Sequence, residues 1–298
     1  MVGRPVVLTL GTFDGLHLGH QRLLSLARRR ARFLKGHVRA VAFNRPPRLF
    51  FSPVDSAYLL TTPREKEDLF FHYGVDQVET LSFSPKLAGL SADGFIEDYL
   101  IRRWGATEIV VGFNFCFGKG REGDVGFLSR RGKERGIRVH SVPPVKDRKG
   151  IVSSGRIRSL IKEGRLTEAR HLLGHDYTLE APVLSGRGMG RRLGFPTANL
   201  EVGEDKILPR GVFVVTAVLP TGVERRALLN VGVRPTFPEQ NPTRSVEVHL
   251  LDFSGDLRGR SLRIRFVKKL RDEKKFSSVK ALVTQLLKDE AAARRIPF

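Results

Sequence analysis

Apolar residues in the first half of the chain gather into five short runs: PVVLTL (5–10), HVRAVAF (37–43), QVETLSF (77–83), EIVVGF (108–113) and IRVHSVP (137–143). Between them lie stretches such as HLGHQRLLSLARRRA and SADGFIEDYLIRRWG, whose apolar positions recur at the spacing of one helix face. The second stretch opens on Ser91 and Asp93, residue types that cap the free N–H groups of a helix start. Strand-helix alternation predicts an α/β unit with a parallel sheet and helices on both faces. Its ligand site is expected beyond the carboxyl ends of the strands, where the loops carry Gly and polar residues.

After His175 the texture changes. Short strand-like runs, YTLEAPVL, GVFVVTAVL, ERRALLNVG, SVEVHLLDF and SLRIRFVKKL, alternate with turn signals at Pro220-Thr221-Gly222, Pro238-Glu239-Gln240-Asn241-Pro242 and Ser254-Gly255-Asp256. This pattern predicts a small antiparallel β-barrel. From Ser277 onward, Val279, Leu282, Val283, Leu286 and Leu287 fall at helical spacing, so a carboxyl-terminal helix is expected to pack on it. Two domains follow, 1–175 and 176–298, a division that suits 298 residues because single cores stop growing near that length.

Charge adds a question. The chain holds 52 Lys and Arg against 31 Asp and Glu, a net +21, which would suit a polyanion partner. Both halves are basic, however, and the densest runs, Arg28-Arg29-Arg30-Ala31-Arg32 and Arg130-Arg131-Gly132-Lys133, lack the interleaved aromatics on which bases stack. They are expected on solvated helix faces, drawing phosphorylated small molecules rather than nucleic acid. No apolar run approaches the roughly 20 residues that span a bilayer, and Gly and Asp interrupt the start too early for a signal peptide. No membrane partner and a cytoplasmic location are the expectation. The single cysteine, Cys116, allows no intrachain disulfide and is expected as a buried, inert thiol in VVGFNFCFG.

The segment Gly11-Thr12-Phe13-Asp14-Gly15-Leu16-His17-Leu18-Gly19-His20 leads from the first strand into a helix. Its glycines permit a tight turn and close backbone approach, and a helix start offers free N–H groups and positive dipole to an anion. His17 and His20, three residues apart, lie on one side of that start, placed to grip a polyphosphate. Metal ligation is disfavoured there, for no third ligand sits at a familiar spacing.

GTFDGLHLGHQ resembles the Gly-x-Phe-Asp-Gly-x-His-x-Gly-His signature of bacterial FAD synthetases, a nucleotidyltransferase family with a Rossmann-like parallel sheet. VGFNFCFGKGREGD (111–124) is similar to that family's second loop and VSSGRIR (152–158) to its Ser-Ser-Thr-x-Ile-Arg motif, in family order. The resemblance implies adenylylation of FMN by ATP, with release of pyrophosphate. Gly11, Phe13, Asp14, Gly15, His17, His20, Asn114, Ser153, Ser154 and Arg158 would then line the ATP site. In it His17 and His20 would neutralise the polyphosphate, Ser153 and Ser154 would donate hydroxyl hydrogen bonds, and Arg158 would add fixed positive charge. Two positions depart from the family: Gly155 stands in place of Thr, and Arg45 in FNRPPR in place of Pro.

The second half carries Gly186-Arg187-Gly188-Met189-Gly190-Arg191-Arg192-Leu193-Gly194-Phe195-Pro196-Thr197-Ala198-Asn199. Its glycines can present backbone N–H groups to phosphates, while the Thr197 hydroxyl and Asn199 carboxamide can serve Mg2+ and phosphate oxygens. The string resembles the Gly-Arg-x-x-Gly-x-Pro-Thr-Ala-Asn motif of riboflavin kinases, and GVFVV (211–215), NVGVRPTF (230–237), VEVHLLDF (246–253) and FVKKLRDEKKF follow in family order. On this resemblance Gly186, Gly188, Gly190, Arg191, Gly194, Pro196, Thr197 and Asn199 bind ATP or flavin, with Thr197 and Asn199 on Mg2+. Glu247 would be the catalytic carboxylate, accepting the proton of the riboflavin 5'-hydroxyl. Arg271 would swing over the site with its loop.

Together the resemblances imply a bifunctional enzyme acting on riboflavin, FMN and ATP and yielding FAD. Its expected partners are these small molecules, and its oligomeric state is left open. A kinase whose first domain adenylylates weakly is the alternative that Gly155 and Arg45 leave open, and a basic nucleic-acid-binding module is the rival of another class.

Overall fold

The computed structural model describes residues 4–52, 57–184, 189–234 and 243–297. It divides into two compact units, Met1–Ser154 and Gly155–Phe298.

The first unit is built on five parallel strands, β1 (Val6–Gly11), β2 (His37–Phe43), β3 (Gln77–Leu81), β4 (Ala106–Gly112) and β5 (Arg138–Val142). Their order is β3-β2-β1-β4-β5. Successive side chains alternate between faces. Leu8 and Leu10 of β1 pack with Phe95, Ile96, Leu100 and Leu128, whereas Val7 packs with Leu23, Leu24, Ala27 and Phe70 on the opposite side. Helices thus cover both faces, as the alternation predicts. The helix on the second face, α1 (Leu18–Leu34), buries Leu23, Leu24, Ala27 and Ala31 at its 3.6-residue repeat. The chain runs outward from β1 in one direction through β2 and β3 and in the other through β4 and β5. The gap between the carboxyl ends of β1 and β4 is therefore the topological switch point, where open α/β sheets hold ligands.

Two details differ from expectation in this unit. The segment opening at Ser91 starts as an α-helical turn, Ala92–Phe95, and continues as a wider π-helix, Ile96–Arg103. Ser91 caps it by accepting from the Gly94 N–H at 3.1 Å, but the Asp93 carboxylate pairs with Arg131 in two 2.8 Å hydrogen bonds. Cys116 is half-buried rather than buried, because β4 ends at Gly112 and the chain has already turned outward. A short hairpin, β6 (Lys146–Asp147) with β7 (Gly150–Ile151), precedes Ser153 and Ser154.

The second unit opens within the helix Ser154–Lys162, whose first residue belongs to the first unit, and continues with the helix Leu166–Leu173. Six strands then close a barrel, β8 (Thr178–Leu184), β9 (Ala198–Leu200), β10 (Gly211–Val218), β11 (Glu224–Arg234), β12 (Thr243–Leu250) and β13 (Ser261–Arg271), in the order β10-β11-β12-β9-β8-β13. Five coincide with the strand-like runs. The sixth, β9, lies inside the Gly-rich string and is too short to show alternation. The carboxyl-terminal helix, Val279–Arg295, packs differently from its apolar stripe: Val279 and Leu287 are exposed. Its last turns make the contact instead, with Ala293 joining Val212, Val214, Leu228 and Leu251. Polar anchors fix it, including Arg294 on Asp252 and Arg226 on the carbonyls of Arg294 and Ile296.

Candidate active sites

The turn after β1 is strained and well anchored. Phe13 (φ 48°) and Leu16 (φ 33°) adopt left-handed backbone that side chains disfavour, beside Gly15 (φ 81°). Asp14 holds it in place: its Oδ1 accepts from Leu60 N at 2.9 Å and Thr61 N at 3.1 Å, and the Thr61 hydroxyl in turn accepts from Gly15 N. Phe13 is fully buried, edge-on to Phe70 and to His20. These two positions were expected to touch ATP, yet their side chains face inward because the strained turn needs them as its supports.

His17 caps its own helix, with Nδ1 accepting from Gly19 N at 3.2 Å. A ring nitrogen that accepts carries no proton, so the neutral imidazole bears its hydrogen on Nε2 as a donor. His20 stacks on His17 with ring centroids 3.8 Å apart. Its Nδ1 is buried without a hydrogen-bond partner. Burial, the neighbouring His17 and Lys66 all hold the His20 imidazole well below its usual protonation range, so it is neutral at pH 7 in the free protein. In the free protein His20 therefore starts as a dipole and not as a cation. Gly19 leaves room beside the two rings, since a Cβ there would stand 3.0 Å from the His17 ring and press on it.

Ser154, at the start of its helix, donates its hydroxyl to the Asp14 carbonyl at 2.8 Å. Its single O–H is therefore already engaged in holding the turn. Ser153 lies immediately ahead of it, and Arg158 one helical turn further along Ser154–Lys162. Asn114 is exposed just past the end of β4, on the other side of the switch point from Gly11. Arg45 is exposed, and its backbone N–H is bonded to Asn44 Oδ1. The chain also places at this end of the sheet a residue that pattern reading passes over: Lys66, from the capped helix Pro63–His72, whose buried ammonium reaches the carbonyls of Thr12 and Phe43. The usable signal is its position four residues before the fully buried Phe70, on the apolar side of the helix.

In the barrel the Gly-rich loop folds back on itself. The Gly190 carbonyl accepts from the N–H groups of Leu193 and Phe195, and Gly194 takes a left-handed φ of 83°. A Cβ on Gly190 would stand 2.3 Å from the Phe195 carbonyl oxygen and 3.1 Å from Thr197 Oγ1, so only glycine fits the cradle. The loop then enters β9, where Asn199 pairs directly with Glu247 of β12. The register thus brings together the carboxylate and the carboxamide that the sequence separates by almost fifty positions. Ser245 Oγ bonds Glu247 Oε1 at 3.1 Å, and His249 Nδ1 meets the Pro196 carbonyl at 2.7 Å. Val246, Val248 and Leu250 are buried on the opposite side of the strand. Thr197 and Asn199 offer neutral oxygen donors, the hard type that Mg2+ prefers, beside a cradle that a single extra carbon would fill. Gly186 and Gly188 lie outside the described residues, as does the Arg191 side chain.

Arg271 is anchored. Its guanidinium forks onto the nearly buried Asp289 of the carboxyl-terminal helix, and Gln285 supports the same carboxylate. In this conformation it is a strut between β13 and the helix rather than a cover for the loop.

A phosphate-type turn at a parallel-sheet switch point and a Gly-rich loop set against a carboxylate in a closed barrel define a two-part ATP-dependent transferase. The sequence matches the FAD synthetase family over residues 2–156 and the riboflavin kinase family over residues 173–297. It is 36% identical over 293 residues to a bifunctional riboflavin kinase/FMN adenylyltransferase of Pseudomonas fluorescens, covering 98% of this chain and 93% of that protein. To the protein of the same description from Escherichia coli K12 it is 34% identical over 288 residues, 97% of this chain and 91% of that one. Among solved structures it resembles one described as a macrolide-efflux protein from Streptococcus pneumoniae, with 33% identity, a TM-score of 0.88, and coverage of 100% of this chain and 96% of the other. The chain belongs to the bifunctional riboflavin kinase/FMN adenylyltransferase family: it phosphorylates riboflavin to FMN and adenylylates FMN to FAD. Among the described residues no helix is long and apolar enough to cross a membrane, and no three His, Cys, Asp or Glu side chains are placed to hold a metal.

Proposed function

We propose that adenylyl transfer runs at the turn after β1, in a domain spanning 1–175, and phosphorylation at the Gly-rich loop before β9, in a domain spanning 176–298. The observation that carries this reading is the pairing of Glu247 with Asn199, which sets a proton acceptor beside a nucleotide loop.

In the first site an oxygen of the FMN phosphate attacks the α phosphorus of ATP, and the bond to the leaving pyrophosphate breaks. The protein's task is alignment of anions and stabilisation of charge on the leaving group. His17 donates from Nε2 and His20 joins it as a second donor. The backbone from Gly11 to Gly15 closes around the phosphates, with Phe13, Asp14 and Ser154 fixing its shape. Asn114, Ser153 and Arg158 complete the polar lining. Polyphosphate arriving beside His20 favours its protonated form, so charge is added when the substrate needs it.

In the second site the riboflavin 5'-hydroxyl attacks the γ phosphorus, its proton passes to Glu247, and ADP leaves. Ser245 orients the carboxylate. Gly190, Arg191, Gly194 and Pro196 bracket the phosphates, joined on motif alone by Gly186 and Gly188, while Arg271 borders the site. Thr197 and Asn199 would hold Mg2+, which when bound neutralises charge on the phosphate oxygens.

Small molecules as the only partners, without nucleic acid or membrane, and a cytoplasmic location belong to the same proposal. The basic runs support it: Arg30 is engaged by Glu108 and Arg131 by Asp93, as is the nearby Arg135 by Glu97, which removes these cations from the pool open to a polyanion. A gel shift that persists at physiological salt would count against this part. The main test supplies riboflavin and FMN separately with ATP, with and without Mg2+, and separates the products by chromatography. FMN from the first and FAD from the second, each dependent on Mg2+, are expected. FMN formation without FAD formation would remove the adenylylation site from the proposal.

A further inference from the structure

Lys66 is nearly fully buried, 2% exposed, beside Glu65, whose own burial is accounted for by its capping box with Thr62. Its Nζ donates to the Thr12 carbonyl at 3.0 Å and the Phe43 carbonyl at 2.6 Å. Thr12 follows β1 and Phe43 ends β2, so one ammonium bridges the carboxyl ends of two adjacent parallel strands at the edge of the phosphate turn. Burying a cation is expensive, and Met or Leu would fill the same volume without that cost. Asp14, also buried and two residues beyond Thr12, is the carboxylate whose field offsets part of it.

We propose that Lys66 is a positioning residue for adenylyl transfer, tying the strand ends that carry the Phe13–Asp14 turn and setting positive potential at the foot of the His17–His20 pair. The inference rests on the reading of those histidines as the phosphate grip. Two physical consequences follow. The tie fixes where the Thr12–Gly15 backbone meets the phosphates, and a misplacement of about 1 Å at such a point costs on the order of a hundredfold in rate. The fixed charge also adds to burial and to His17, the larger causes, in holding His20 neutral until an anion compensates it. Asp14 from the turn and His20 from α1 are titratable groups coupled to Lys66, while the strand ends present the carbonyls of Thr12 and Phe43. Burial lowers the Lys66 ammonium to about 8, with Asp14 opposing the fall, so it remains mostly charged at neutral pH.

The test uses two variants of the full chain. Lys66→Gln keeps two N–H donors and removes the charge, while Lys66→Met removes both. FMN formation from riboflavin, catalysed in the barrel, reports whether each protein is intact. FAD formation is resolved into kcat and KM for ATP, and the His20 imidazole is titrated by NMR on histidine-labelled protein, its signal assigned with His20→Ala. Lys66→Gln is expected to lower kcat for FAD formation at least tenfold, to leave FMN formation within twofold, and to move the His20 midpoint upward by the Lys66 share alone, since burial and His17 remain. Lys66→Met is expected to lose more kcat than Lys66→Gln. FAD formation within twofold of the parent in Lys66→Gln, or a His20 midpoint that stays in place, overturns the proposal. Should Lys66→Met fail to fold, Lys66→Gln alone decides. Should the parent form no FAD, the grip reading fails on that result, while the His20 titration still tests the Lys66 field.

Discussion

Gly190→Ala adds one carbon to the cradle of the barrel site. The new Cβ would sit 2.3 Å from the Phe195 carbonyl oxygen, where ordinary contact begins near 3.4 Å, so the loop must retreat by about 1 Å. It cannot do so quietly. Phe195 N is bonded to the Gly190 carbonyl at 2.9 Å, and the His249 ring holds the Pro196 carbonyl, so the strain passes to Thr197 and Asn199. Overpacking of this kind costs about 1–3 kcal/mol. A displacement of about 1 Å between phosphate ligands and Glu247 is expected to lower kcat for FMN formation by about a hundredfold. The assay follows FMN formed from riboflavin and, in a separate reaction, FAD formed from FMN by the same preparation. FAD formation should persist, because the proposed site of that chemistry lies in the other unit. FMN formation within threefold of the parent would show that the loop gives way freely and that its tight fold does not set the geometry of phosphoryl transfer.

Glu247→Gln preserves shape and removes the proton acceptor, and FMN formation should fall by about 10² to 10⁴ fold while FAD formation continues; turnover within threefold would return Glu247 to an ordinary strand position. His20→Ala removes one preorganised donor and should lower FAD formation by about a hundredfold with FMN formation unchanged, whereas equal loss of both would make His20 a structural residue. Glu108→Gln breaks the pair with Arg30 and the contact with His140, and should destabilise the first unit by about 2 kcal/mol, since Arg30 keeps some exposure. The hydrogen bond from Arg30 holds the Glu108 carboxyl below its usual range, so this stabilisation is complete above the unfolded value and is lost as pH falls through the lower folded one. Urea unfolding followed by the buried Trp104, the single tryptophan, should therefore show a parent-to-variant gap at pH 7 that closes in acid; a gap independent of pH would refute the ionic origin.

Much of this arrangement is legible in the sequence because its signals are local. The five strands of the sheet are runs of Val, Ile and Leu bounded by turns, and the register of side chains follows from the two-residue period. His17 and His20 announce themselves through spacing within one turn of helix. The parts that escape are those in which tertiary contacts override local preference. Lys66 looks like a solvated helix residue until two strand ends, separated from it in sequence, supply its acceptors. Asp93 has the chemistry of a cap but finds Arg131, and Arg271 finds Asp289 on a helix that follows it. β9 is invisible for another reason: three residues carry no periodicity, and only the neighbours on either side make them a strand.

The turn after β1 has no slack. Its left-handed residues are held at Leu60 and Thr61 by Asp14, at the helix start by the Ser154 hydroxyl, and at the strand ends by Lys66. On the proposed role, a phosphate loop built in this way is finished before its substrate arrives, so ordering it takes nothing from nucleotide binding. The same economy makes it brittle to changes in length. One residue inserted between Gly11 and His17 would leave each of these anchors reaching for the wrong partner, whereas the exposed Arg148–Lys149 tip of the β6–β7 hairpin could take an extra residue at little cost.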